Sequence, residues 1–261
     1  MTTSTATRNR TVDRIQRDRL GRWLRGAGWT FIWLGGLTLG FVVHQLWITT
    51  WFAEQNQAAL GEERVEYFAA AEVTEVFVEP DGTILEPGEE PAAPDQEFGS
   101  SDVGSLPATL SIEAPPEEHE AFALIRIPKI ERLQEGWNVV AGVSVSDLKN
   151  GAGHMPATPL PGQPGNSVIS GHRTTYGAPF HELDTLEAGD RIEVETAIGL
   201  HVYEVRAFEI VRPTDVWVTE PREGAWLTLT TCHPKFSARE RLVVFAELVE
   251  GPNLDAVRAL S

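Results

Sequence analysis

The sequence predicts a mainly β domain, an antiparallel barrel or sandwich with short helices, preceded by one membrane-spanning helix. Three observations predict it. From Phe122 onward, short apolar runs are broken by Gly and Pro and show little helical periodicity. Near the N-terminus lies an uncharged apolar run of 23 residues, Ala27 to Thr49. An acidic, Pro-rich stretch separates the two.

The first element is a basic tail, residues 1–26. It carries seven arginines (Arg8, Arg10, Arg14, Arg17, Arg19, Arg22, Arg25) against Asp13 and Asp18, whereas the whole chain has a formal net charge of −17. The apolar run follows, within a span set at residues 27–51. At 1.5 Å rise per residue it reaches about 34 Å, enough for a hydrocarbon core of roughly 30 Å. A cleaved signal peptide has a shorter apolar region and a small-residue cleavage site, and here bulky Trp51 and Phe52 follow the run, so a retained anchor is expected. Basic flanks stay in the cytoplasm. The expected topology is therefore single-pass in the cell membrane, with the N-terminus cytoplasmic and the C-terminal bulk extracellular.

Residues 52–120 hold 18 acidic residues and one basic residue, Arg64. Their second half is rich in Pro, Gly and Ser, a composition that buries too little apolar surface to offset ordering entropy. The stretch reads as a tether, with residues 80–115 disordered and contributing nothing to the domain. "EQNQAALGEERVEYFAAAEV" within it has the spacing of a helix. The acidic excess disfavours nucleic acid as a partner.

Seven runs then read as strands: "FALIRIPKI", "WNVVAGV", "NSVISG", "RIEVET", "HVYEVRAFEIV", "AWLTLTT" and "RLVVFAELV". "SVSDLKNGAGHMP" reads as a short helix capped by Ser144 or Ser146. "HELDTLEAGD" gives another helical turn, and "RIEVETAIGLHVYEV" reads as a hairpin. The domain is bounded at residues 121–250, with a C-terminal tail at 251–261.

One cysteine, Cys232, stands in "TLTTCHP". A lone extracellular cysteine has no partner in its own chain, so it is either an inert buried residue or a thiol kept free for chemistry. Period-2 alternation puts Leu227 and Leu229 on one face and Thr228, Thr230 and Cys232 on the other. The leucines claim the core. If the following strand pairs antiparallel, Arg241 lies beside Cys232, where a guanidinium favours thiolate and can donate to an oxyanion.

A cysteine nucleophile needs a base. His44 falls in the membrane span, His119 in the tether, His201 inside a strand, and His233 points to the opposite face from Cys232. His154, His172 and His181 remain, and His172, where an apolar strand gives way to a loop, has the placement of a site residue. No C-x-x-C or H-x-x-x-H spacing is present, and one cysteine is too few for a thiolate metal site, so neither metal nor cofactor is expected.

"TLTTC", with an arginine nine residues on, and "SGHRTTYGAPFHELDTLEAGD" resemble the sortases, membrane-anchored cysteine transpeptidases of Gram-positive bacteria. "GHRTTYGAPF" and "TLTTCHPKFSARERLVVFAEL" are most similar to class E sortases of actinobacteria. The resemblance covers about residues 121–250. It implies an eight-stranded β-barrel and a triad of His172, Cys232 and Arg241. Cys232 would cleave the Thr-Gly bond of a cell-wall sorting signal through a thioester, which an amino nucleophile then resolves. The class implies Leu-Ala-x-Thr-Gly rather than Leu-Pro-x-Thr-Gly signals. Partners would be surface proteins bearing the signal and a cell-wall amine, either a peptidoglycan precursor or a pilin lysine. Thr230 and Thr231 would contact substrate, Thr231 through its backbone or hydroxyl, although strand alternation turns its side chain away from Cys232. A cysteine hydrolase using the same groups, and a membrane-tethered scaffold with an inert cysteine, fit the residues too.

Overall fold

The computed structural model describes residues 5–85, 88–89 and 107–261. The chain divides into two units, residues 1–48 and 49–261.

In the first unit, helix α1 (Thr5–Val43) is followed by a π-helical turn, His44–Ile48. Its Arg22–Val43 segment, with a mean hydropathy of 1.5, is long and apolar enough to cross a membrane. Trp29, Phe31, Trp33, Leu34 and Leu37 on it are all exposed.

The second unit is built on a closed barrel of eight strands: β3 (Ala121–Arg126), β4 (Trp137–Ala141), β5 (Ala152–His154), β6 (Gly165–Ser170), β7 (Arg191–Thr196), β8 (Gly199–Val211), β9 (Ala225–His233) and β10 (Glu240–Glu250). Around the barrel they run β10, β8, β7, β3, β4, β5, β6, β9 and back to β10. Seven of these strands fall on the runs read from the sequence. The eighth, β5, is only three residues long and lies inside the stretch read as a helix. Its short pairing has too little pattern to be seen without its neighbours.

The barrel is not purely antiparallel. β4 pairs parallel with β5, and β6 pairs parallel with β9. A parallel pair needs a crossover, supplied for β4 and β5 by the short helix α3 (Val145–Asn150). Ser144 caps it: its hydroxyl accepts from the Asp147 amide, while the Asp147 carboxylate accepts from the Ser144 amide. The expected hairpin is present, with Thr196 opposite Gly199 across a two-residue turn. A 3-10 turn, Leu183–Thr185, occupies the second expected helical position.

Ile125, Val139, Ile169, Ile192, Val194, Tyr203, Leu227, Leu229 and Val244 fill the core. Burying such side chains stabilises by roughly 1.5–3 kcal/mol each.

Residues 52–120 depart from the expected tether. Helix α2 (Thr49–Ala70) lies on β3 and β4; its Gln57 accepts from the Asn138 amide at 2.7 Å, and Arg64 donates to the Asn138 side chain at 2.8 Å. Strands β1 (Val73–Val78) and β2 (Ala108–Glu113) form an antiparallel ribbon. Asn253 fastens it: its side chain accepts from the Ser111 amide at 2.8 Å and donates to the Ser111 and Gly162 carbonyls. Val76, Val78 and Leu110 pack on Ala256 of helix α4 (Leu254–Ala259). The acidic average concealed this because period 2 sets the acids apart: Glu75 is exposed while Val76 and Val78 are buried. The Pro-rich residues 90–106 of the expected disordered stretch lie outside the described residues.

Candidate active site

Strand β9 carries the thiol. Leu227 and Leu229 enter the core, and Cys232, the free cysteine, is partly exposed on the side shared with Thr228 and Thr230. The β9–β10 register sets Arg241 directly opposite Cys232, Val243 opposite Thr230 and Phe245 opposite Thr228. The antiparallel pairing expected from the sequence is the one observed. The Arg241 guanidinium is turned onto its own loop, donating to the Ala238 and Glu240 carbonyls at 3.0 Å each.

On the other flank of β9, the parallel ladder pairs Ser170 with Thr230. It is prolonged by two bonds: the Gly171 amide donates to the Thr230 carbonyl at 3.1 Å, and the Thr231 hydroxyl donates to the Gly171 carbonyl at 2.7 Å. His172 therefore leaves β6 level with the end of β9 that carries Cys232. Gly171 is required there, because a Cβ would lie 2.6 Å from the Phe180 ring. The Phe180 amide in turn donates to the His172 carbonyl at 3.1 Å.

The half-buried His172 ring lies 5.0 Å from the Tyr176 ring, and Lys149 Nζ sits 5.6 Å from the other ring of that pair, Tyr176. Burial, with the Lys149 charge as a second cause, holds the His172 imidazole below the usual histidine range. It is kept neutral, as a base requires.

The two rival histidines are engaged. His154 is buried, with Nε2 donating to the Pro159 carbonyl at 2.9 Å, and burial lowers its pKa. His181 Nδ1 donates to the Arg173 carbonyl at 2.7 Å. Among the described residues, His172 is the one of the three with no hydrogen bond to its ring.

Both threonines expected to contact substrate make hydrogen bonds within the protein. Thr230 shares a hydrogen bond with Ser170, 3.0 Å between their hydroxyl oxygens, on the side of Cys232. Thr231 is buried on the core side, and its hydroxyl is committed to Gly171. The hydroxyl contact with substrate expected of Thr231 gives way to this internal bond, because alternation along β9 turns the side chain inward.

Sequence reasoning missed Asn166 and Arg173. Asn166 accepts from the Thr228 hydroxyl at 2.6 Å and donates to the Val218 and Glu220 carbonyls, fastening the β8–β9 connection beside the thiol's face. Arg222 of that connection lies 4.0 Å from the centre of the Phe245 ring. Arg173 is buried behind the site. Its place next to His172 was the available signal, since a charged residue beside a candidate base has a restricted set of uses.

A lone thiol at the end of a barrel strand thus has an arginine opposite it on β10 and, just past the end of β6 on its other flank, a histidine. A family model described as the sortase domain matches residues 125–249. Sortase D of Bacillus subtilis is 33% identical over 139 residues, covering 51% of this chain and 67% of that protein. Sortase SrtE1 of Streptomyces coelicolor is 29% identical over 242 residues, covering 87% of this chain and 57% of that protein. Sortase E of Streptomyces avermitilis, a solved structure, is 34% identical with a TM-score of 0.48, over 56% of this chain and 100% of that one. The chain belongs to the sortase family, whose members are cysteine transpeptidases. The relative named SrtE1 carries the class E designation that the chain's motifs resemble. The chain spans 57% and 67% of the lengths of these two curated relatives.

Proposed function

We propose that this protein is a membrane-anchored sortase that cleaves the Thr-Gly bond of a cell-wall sorting signal and transfers the acyl group to an amine of the cell envelope. The observation that supports the reading is a row of neighbouring strand ends: Arg241 on β10 in register with Cys232 on β9, and His172 one residue past Gly171, which is bonded to Thr230 and Thr231. His172 takes the Cys232 thiol proton as Sγ attacks the threonine carbonyl carbon. The C–N bond breaks as His172 delivers a proton to the leaving glycine amine, leaving a thioester. An incoming amine attacks that carbonyl, His172 takes its proton, and the cysteine sulfur departs and is reprotonated. Arg241 exchanges its loop carbonyls for the substrate backbone or the oxyanion. Thr230 lines the approach, and Thr231 contributes its backbone.

The partners on this reading are surface proteins bearing the signal and a peptidoglycan-precursor or pilin-lysine amine. The arginine-rich tail supports a topology with the N-terminus in the cytoplasm and the barrel outside. Protease added to intact cells releases the barrel on this topology; a protected barrel refutes the orientation.

Incubation of residues 49–261 with Leu-Ala-x-Thr-Gly and Leu-Pro-x-Thr-Gly peptides, with and without glycine or a diaminopimelate-type amine, tests the reaction by mass spectrometry. A thioester on Cys232 and an amine-dependent product are expected. Release of free acid alone, at a rate no amine changes, indicates a hydrolase. The absence of any adduct on Cys232 refutes the acyl-transfer reading.

A further inference from the structure

Arg173 is 2% exposed, yet its guanidinium reaches four acceptors in two separate stretches of chain, 181–184 and 232–233. Nη1 donates to the Cys232 carbonyl at 3.2 Å and to His233 Nδ1 at 3.0 Å. Nε donates to the His181 carbonyl at 3.4 Å, and Nη2 pairs with the Asp184 carboxylate at 2.9 Å. The Arg173 carbonyl accepts from His181 Nδ1, and Asp184 also faces Lys235 of the β9–β10 loop at 3.5 Å.

Burying a guanidinium costs several kcal/mol unless its donors are satisfied, and an apolar side chain would fill the same space without that cost. An arginine is advantageous here because it is a planar fork with five donors in fixed directions. Here the fork joins the backbone of the candidate nucleophile to the loop that begins at the candidate base. Since arginine never accepts, His233 Nδ1 is the acceptor in its pair, so that nitrogen is unavailable as a base while the contact holds. The arginine thus also removes the histidine nearest the thiol in sequence from competition with His172.

We propose that Arg173 is a positioning residue of the transfer reaction: its buried guanidinium anchors the Cys232 carbonyl and, through the backbone it shares with His172, sets the spacing between thiol and imidazole. The inference rests on the acyl-transfer reading above. Without the anchor, the β6-side bonds stop at Thr230 and Thr231, the Cys232 carbonyl loses its tie to Arg173, and the thiol moves relative to His172. A misplacement of about 1 Å at such a site costs on the order of 100-fold in rate.

The test uses residues 49–261 as wild type, Arg173→Met, Arg173→Lys and Asp184→Asn, with folding checked by circular dichroism and melting. Peptide transfer gives kcat and KM, and iodoacetamide gives the alkylation rate of Cys232. In folded Arg173→Met, kcat falls at least roughly 10-fold while KM stays within about twofold, because ground-state binding is untouched. Alkylation accelerates in the same variant, since a small reagent needs only access to the thiol. Arg173→Lys, which keeps the charge but loses the fork, falls between Arg173→Met and wild type. If Arg173→Met does not fold, Asp184→Asn, which frees one corner of the guanidinium, shows the same split to a smaller degree. Wild-type kcat and alkylation rate in the folded variant, or a fall in melting temperature alone, overturns the proposal. If wild type transfers no peptide, the acyl-transfer reading fails, and the alkylation rates still decide whether Arg173 holds the thiol in place.

Discussion

Thr231 donates its hydroxyl hydrogen to the Gly171 carbonyl at 2.7 Å, joining the residue before the thiol to the residue before the histidine. Both partners are buried. Thr231→Val keeps the shape and removes the donor, leaving a buried carbonyl unsatisfied at a cost of about 1–3 kcal/mol. A lower denaturant midpoint together with reduced turnover is expected. Turnover equal to wild type in the folded variant would show that the bond serves stability alone.

The three residues of the row make separable contributions. Cys232→Ala abolishes adduct and product, because the chain has no other thiol. His172→Ala reduces turnover by roughly 10²–10⁴-fold, the usual worth of a proton-transfer group. Arg241→Lys is nearly as damaging as Arg241→Ala, since it loses the planar donor. His154→Ala and His181→Ala serve as controls: if either stopped transfer while His172→Ala remained active, the base would be misassigned.

Burial first, and the Lys149 charge second, hold the His172 pKa down. Lys149→Met removes the smaller cause, so the pKa rises toward its ordinary value. The limb of the pH–rate profile that reports His172 therefore moves to higher pH. Profiles of wild type and variant that superimpose would exclude the electrostatic link between α3 and the site.

His201 is fully buried, its Nδ1 has no hydrogen-bond partner, and desolvation pushes its pKa from 6.5 down to about 4. The unfolded chain therefore binds more protons than the folded one between those values. The stability associated with neutral His201 is complete above about pH 6.5 and is lost as pH falls toward 4, by an amount on the order of 3 kcal/mol. Urea unfolding from pH 7 to pH 4 should show a shallower loss in His201→Gln than in wild type. Equal slopes would rule out His201 as the group responsible.

The class of domain and the placement of the thiol were legible in the sequence because both rest on local rules. Period 2 set Leu227 and Leu229 inward and Cys232 away from them, and a short loop made β9 and β10 antiparallel neighbours, bringing Arg241 opposite the thiol. The choice of His172 rested on loop placement, and the level at which its loop begins was fixed by tertiary structure, since Gly171 and Thr231, 60 residues apart in the chain, meet only through the parallel pairing of β6 with β9. The same holds for β5, whose three residues have no pattern of their own, and for the β1–β2 ribbon, whose buried valines were outweighed in composition by exposed acids. Arg173 is the clearest instance. In sequence it is one more arginine beside a histidine, and its role depends on which carbonyls surround it, a set drawn from β9, the histidine loop and the Leu183–Thr185 turn. Local periodicity decides which way a side chain points; only long-range pairing decides what it meets.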